Sequence, residues 1–106
     1  GMAQLLQTTR VVQERLNTDL AICGVLACRV DVRTRHSRDV VEHLRERFGD
    51  LVYRTVIREN VRLAECPSFA KSILDYDRRS TGAWDYRGLA KEVMAQEDTT
   101  TRAVRA

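Results

Sequence analysis

The nine residues Leu20-Ala21-Ile22-Cys23-Gly24-Val25-Leu26-Ala27-Cys28 are apolar without interruption and without alternation. A half-buried strand alternates apolar and polar side chains. A continuous run of this length therefore predicts a strand covered on both faces, as parallel strands are. A buried helical turn is the competing reading, and Gly24 with the polar residues on either side argues against it.

The run ends in Arg29-Val30-Asp31-Val32-Arg33-Thr34-Arg35-His36, which reads as a loop at the strand's C-terminal end. Ser37 is placed to cap a helix whose Val40, Val41, Leu44 and Phe48 share one face, and Gly49-Asp50 stops it. Val52-Tyr53-Arg54-Thr55-Val56-Ile57 is rich in β-branched and aromatic residues and predicts a second strand. Strand, helix and strand with short connections make a βαβ unit, whose crossover is expected to be right-handed. Ahead of it, Met2, Leu5, Leu6, Val12 and Leu16 predict an amphipathic helix over 3–17, with Asn17 as its stop.

Beyond the unit, Val61 to Glu65 reads as a short helical turn and Ile73-Leu74 as a short extended piece. A last helix starts at Ser80 or Thr81, with Ala83, Trp84, Leu89, Ala90, Val93 and Met94 on its apolar side. Residues 97–106 are polar and aperiodic and are expected to form a mobile tail. The result is an α/β chain with two main strands and three to four helices. A two-strand sheet is marginal by itself, so the pattern reads as half of a doubly wound parallel-sheet domain.

Charge and cysteine usage narrow the chemistry. The formal net charge of +3 is too small to indicate nucleic-acid binding alone, but 16 of the 18 basic residues are Arg, with only Lys71 and Lys91 besides. Guanidinium suits bidentate phosphate contacts, although a GC-rich genome gives the same bias. Cys23, Cys28 and Cys66 are odd in number and lack CxxC spacing, which argues against a disulfide framework and a zinc site. Cys23 and Cys28 lie in the apolar run and read as small buried hydrophobes in a reducing cytosol. No stretch approaches the ~20 apolar residues of a membrane span.

Several segments match one family in order. They are residues 3–28, and Asp31-Val32-Arg33-Thr34, similar to a D-A-R-T loop. Thr55-Val56-Ile57-Arg58-Glu59-Asn60-Val61-Arg62-Leu63 is similar to T-V-I-P-R-N-V-R-L and its R-E-N variant. Glu65-Cys66-Pro67-Ser68-Phe69 is similar to E-A-P-S-(F/Y), and Tyr76-Asp77, Gly82-Ala83 and Leu89-Ala90-Lys91-Glu92-Val93 match a terminal helix region. Together, over roughly 3–96, they resemble the C-terminal portion of ParA/Soj-type chromosome or plasmid partition ATPases, a deviant P-loop ATPase family.

The resemblance implies the C-terminal half of a doubly wound P-loop NTPase fold over residues 1–96. It also implies ATP and Mg as cofactors of the intact family protein, with non-specific DNA, a ParB-like protein and a second copy in a homodimer as partners. A cytoplasmic, nucleoid-associated location follows, with no membrane partner. No GxxxxGK[ST] occurs in the 106 residues, and neither lysine follows a glycine. Without that clamp on the phosphates, no cofactor and no ATP hydrolysis are expected for this chain alone, and no residue is assigned a catalytic role.

By resemblance, Cys28 and Arg29 at the end of the first strand and the Arg58-Glu59-Asn60 loop would surround the adenine. Arg58 stands where proline is common in the family. The DNA-contacting positions are Arg33 and Arg62, with Arg29, Arg35 and Arg38 flanking the first and Asp31 and Asp39 partly neutralising it. A stand-alone, non-catalytic module for DNA binding or dimerisation is the alternative, and a structural remnant that binds nothing is a third. His36 and His43 are seven residues apart and do not converge on a metal. Cys66 lacks an adjacent base, and Trp84 reads as core or interface packing.

Overall fold

The computed structural model describes the backbone of residues 2–105 and the side chains of residues 2–97. Helix α1 spans Met2–Arg15, close to the predicted 3–17. Strand β1 spans Val25–Val30 and not 20–28, so Leu20 to Gly24 precede it while Arg29 and Val30, read as loop, belong to it. The reason is the partner. β1 pairs in parallel with β2, Val52–Arg58, in a register that opens at Val25 opposite Val52. Before Val52 the chain is a 3₁₀ turn, Gly49–Leu51, which offers no ladder to Leu20–Gly24.

Helix α2, Arg35–Phe48, connects the strands. Its cap is Thr34, whose hydroxyl accepts from the Ser37 N–H at 3.3 Å, and not Ser37 as the sequence suggested. Ser37 instead accepts from the Asp31 N–H at 3.3 Å, which ties the turn after β1 to the helix it feeds. Gly49 ends α2 at φ 55°, a left-handed conformation that glycine adopts without a Cβ penalty.

After β2, Asn60 caps α3, Val61–Glu65, by accepting from Arg62 N–H at 2.9 Å and Leu63 N–H at 3.2 Å. A 3₁₀ turn over Cys66–Phe69 follows. Ile73-Leu74, expected to be extended, lies in a one-turn helix α4, Ile73–Tyr76. Its cap, Ser72, accepts from Asp75 N–H, and Ile73 is buried against Cys66 and Ala83, so local capping and burial override β-propensity.

Helix α5, Thr81–Arg105, packs along β2. Its first turn is fixed by Ser80, whose hydroxyl accepts from Ala83 N–H at 3.1 Å. Ala83 is completely buried, and a Cβ on Gly82 would come within 2.6 Å of the Leu63 side chain, so α5 meets α3 only because that residue is small. Backbone helix runs through the stretch expected as a tail, and the side chains from 98 onward lie outside the described residues.

The apolar stripe expected on α5 is only partly its inward face. Trp84 is 72% exposed and Met94 also faces outward, while Asp85 is buried. What turns α5 is hydrogen bonding to β2. Asp85 and Glu92, seven residues apart and so on one face, both accept from β2 backbone N–H groups. The core is correspondingly small: Ala27, Val30, Val52 and Ile57 from the sheet, and Cys66, Ile73 and Ala83 with Leu63 and Tyr76 beside them. Cys66 is buried as a small hydrophobe, but Cys23 and Cys28 are exposed, because nothing among the described residues covers the outer side of β1. No described helix is long and apolar enough to cross a membrane.

Candidate functional site

Parallel strands leave a crevice beyond their C-terminal ends, where backbone groups lose their ladder partners and loops diverge. Here that crevice is a cleft of about 510 Å³, inside the range of small-ligand sites. β1 contributes Cys28 and Arg29, β2 contributes Ile57 and Arg58, and the exit loop contributes Glu59 and Asn60. Leu63 and Ala64 of α3 and Tyr86 of α5 complete the wall. The five residues singled out at strand ends, Cys28, Arg29, Arg58, Glu59 and Asn60, thus meet in one place.

Each is held differently. Arg29 sits at φ 55°, a left-handed conformation costing a non-glycine residue about 1–2 kcal/mol, and it makes no ion pair among the described residues. The Glu59 N–H donates to Val30 O at 2.9 Å, carrying the ladder one residue past the strands. The Asn60 side-chain oxygen is occupied by the two N–H groups that it caps.

Arg58 is the most constrained. Its Nε and Nη2 donate to Asp85 Oδ2 and Oδ1 at 3.1 and 2.8 Å, and its backbone N–H donates to Oδ2 at 3.0 Å. A proline at this position would lack that N–H. Burial pushes the Asp85 carboxyl up, but the hydrogen bonds from Arg58 outweigh it and hold the group below the ordinary carboxylate value.

A second cleft of about 450 Å³ lies on the other side of the exit loop. Val30, Asp31 and Arg33 line it with Thr81, and Arg58, Glu59 and Asn60 are common to both clefts. Arg33 donates to both Asp31 oxygens at 3.1 and 3.2 Å, yet its side chain is 87% exposed. Arg62 lies 3.4 Å from Glu65 and 3.4 Å from Asp77, and its side chain is 55% exposed. Tyr76 donates to Glu65 in the same cluster. Both arginines therefore reach solvent with carboxylates already beside them, and Arg62 is not part of either cleft wall.

Sequence reasoning placed Asp31 beside Arg33 but missed Asp85, Tyr86 and the acidic partners of Arg62, Glu65 and Asp77. Asp31 two residues before Arg33, and Glu65 three after Arg62, were readable as local pairs. Asp85, 27 residues from Arg58, carried no such signal. Among the described residues no group of three or more His, Cys, Asp or Glu side chains converges to hold a metal, His36 and His43 included.

The chain is 54% identical over 95 residues to the sporulation initiation inhibitor protein Soj of Bacillus subtilis. It is 47% identical over 96 residues to the chromosome-partitioning ATPase Soj of Thermus thermophilus, and 42% identical over 97 to the chromosome partitioning protein ParA of Caulobacter vibrioides. These matches take in 90–92% of this chain but span only 36–39% of the length of those relatives. No protein-family model matches the chain.

Proposed function

The chain belongs to the Soj/ParA family of partition ATPases, of which it corresponds to a C-terminal portion, and from that premise we propose that it forms the adenine side of a nucleotide site and a DNA-facing surface. The observation that supports this best is the convergence of Cys28, Arg29, Arg58, Glu59 and Asn60 on one cleft at the ends of both parallel strands. The donor set fits a base better than phosphates. Ile57, Leu63 and Ala64 give an apolar floor and Tyr86 an aromatic wall, with polar groups at the rim. No glycine-rich loop followed by lysine is available to cradle phosphates, so ATP and Mg belong to the intact family protein. A preparation of this chain is expected to release no phosphate from ATP.

Arg33, at the exposed rim of the second cleft, and Arg62, exposed on α3 outside both clefts, would contact backbone phosphates. Asp31, Glu65 and Asp77 compete for the same guanidinium groups, so the binding is weak, indifferent to sequence and easily screened. A ParB-like partner and a cytoplasmic, nucleoid-associated location follow from the same family reading.

The test is a titration with two unrelated duplexes at low and moderate salt. Equal affinity for the two duplexes, lost at moderate salt, is the expected result. Low-salt binding that survives Arg33→Ala combined with Arg62→Ala removes the DNA assignment.

A further inference from the structure

We propose that Asp85 is the positioning residue of the strand-end cleft, its carboxylate clamping Arg58 and, through it, the Glu59-Asn60 loop in the shape that receives the ligand. The inference rests on the nucleotide reading above. Asp85 lies on α5, is only 7% exposed, and its carboxylate accepts three hydrogen bonds, all from Arg58. Two run from the guanidinium and one from the main chain, so both the plane of the side chain and the peptide entering the loop are fixed.

Placement makes that clamp matter. Arg58 is the last residue of β2, and the two residues after it line both clefts. On the β1 side the loop is tied by one bond, Glu59 N–H to Val30 O. Asp85 supplies the tie on the other side and belongs to the same helix as Tyr86, which faces the cleft. A bidentate pair with a buried carboxylate is directional, and losing the Asp85 charge leaves the partly exposed Arg58 guanidinium free to turn. Asp85 itself does not line either cleft, so its effect on a ligand passes through Arg58.

The test titrates AMP into the full chain while following the Glu59, Asn60 and Tyr86 amide resonances, at a temperature where circular dichroism shows every variant folded. Wild type is expected to saturate with a Kd in the millimolar range, and Asp85→Asn to weaken it about tenfold. In an Arg58→Gln background, Asp85→Asn is expected to change the Kd little, because the path through Arg58 is already cut.

A lower unfolding temperature with an unchanged Kd marks Asp85 as a purely structural tie and overturns the proposal. An undiminished effect of Asp85→Asn in the Arg58→Gln background overturns it too. If Asp85→Asn does not fold, Asp85→Glu keeps the charge and displaces it by one methylene. That variant is also expected to weaken AMP, and wild-type affinity in it is a refutation. A wild-type chain that shows no saturable shifts up to roughly 10 mM AMP removes the nucleotide reading itself, and this inference with it.

Discussion

Arg29 holds a left-handed backbone conformation inside a strand, where a side chain is strained and a glycine is not. Its guanidinium has no ion-pair partner among the described residues, so stability gives no reason for the arginine. Substitution separates the two effects. Arg29→Gly is expected to leave the thermal unfolding midpoint unchanged or raise it, since relief of about 1–2 kcal/mol of strain offsets the added chain entropy of glycine. Arg29→Val, β-branched, is expected to lower stability by about 1–2 kcal/mol. A glycine variant less stable than the valine variant would show that the conformation is not strained. The residue was legible as a strand-end arginine and illegible as a strained one, because backbone angles at a bulge depend on the partner strand's register. The same limit hid Asp85. The apolar side read from the sequence ran through Ala83 and Trp84 and passed over Asp85, and only the strand that α5 docks against makes a buried carboxylate the better residue.

At the scale of elements, β2 bulges against β1: from Val25 to Ala27 β1 advances two positions while its partner advances four, from Val52 to Val56. A bulge frees backbone donors, and here Glu92 of α5 takes them, accepting from Arg54 N–H at 2.7 Å and Thr55 N–H at 2.9 Å. Burial raises the Glu92 carboxyl, and the Thr55 and Arg54 N–H groups more than reverse that, leaving it below its ordinary 4.5. Asp85 is likewise below its ordinary 3.8. A carboxyl depressed in the fold contributes stability above its unfolded value and loses it as pH falls through the folded one. Wild-type stability is therefore expected to hold above the ordinary carboxylate range and to decline as pH falls below it, and Glu92→Gln to cost about 1–2 kcal/mol at neutral pH while flattening that decline. Parallel acid limbs in urea titrations of the two proteins would refute the role of Glu92. The strand–helix–strand order, α3 and the start of α5 were legible, because capping residues and β-branched runs act locally. The offset of β1 and the face of α5 were not, since both are set by what the partner strand leaves unpaired.

The whole molecule is more open than its mass implies. Its accessible surface is 8714 Å², where a compact monomer of 12.2 kDa exposes about 6,100 Å². The radius of gyration is 16.2 Å, against about 13 Å for a compact domain of this length. Several exposed apolar side chains lie near the edge of β1 that no described strand pairs with. Leu20 and Ile22 are exposed before it, and a groove lined by Leu26, Ala27, Val40, Val41 and Leu44 runs between β1 and α2. On α1, Leu5 and Val11 face outward, with Leu16 exposed just beyond the helix. An open strand edge flanked by apolar side chains is a template for another strand. A two-fold pairing of two copies covers the same patch on both at once, and the surface excess is large enough to supply a stable interface of 1,200–2,000 Å², roughly. Exchange of α1 between copies, about a hinge at Asn17-Thr18-Asp19, would bury its exposed leucines in the same step. Net charge of +3 offers little repulsion against such pairing. The isolated chain is therefore expected to sediment as a dimer at micromolar concentration. α1 folding back over β1 would produce the opposite result, a single species near the 12.2 kDa chain mass, and that outcome excludes the dimer.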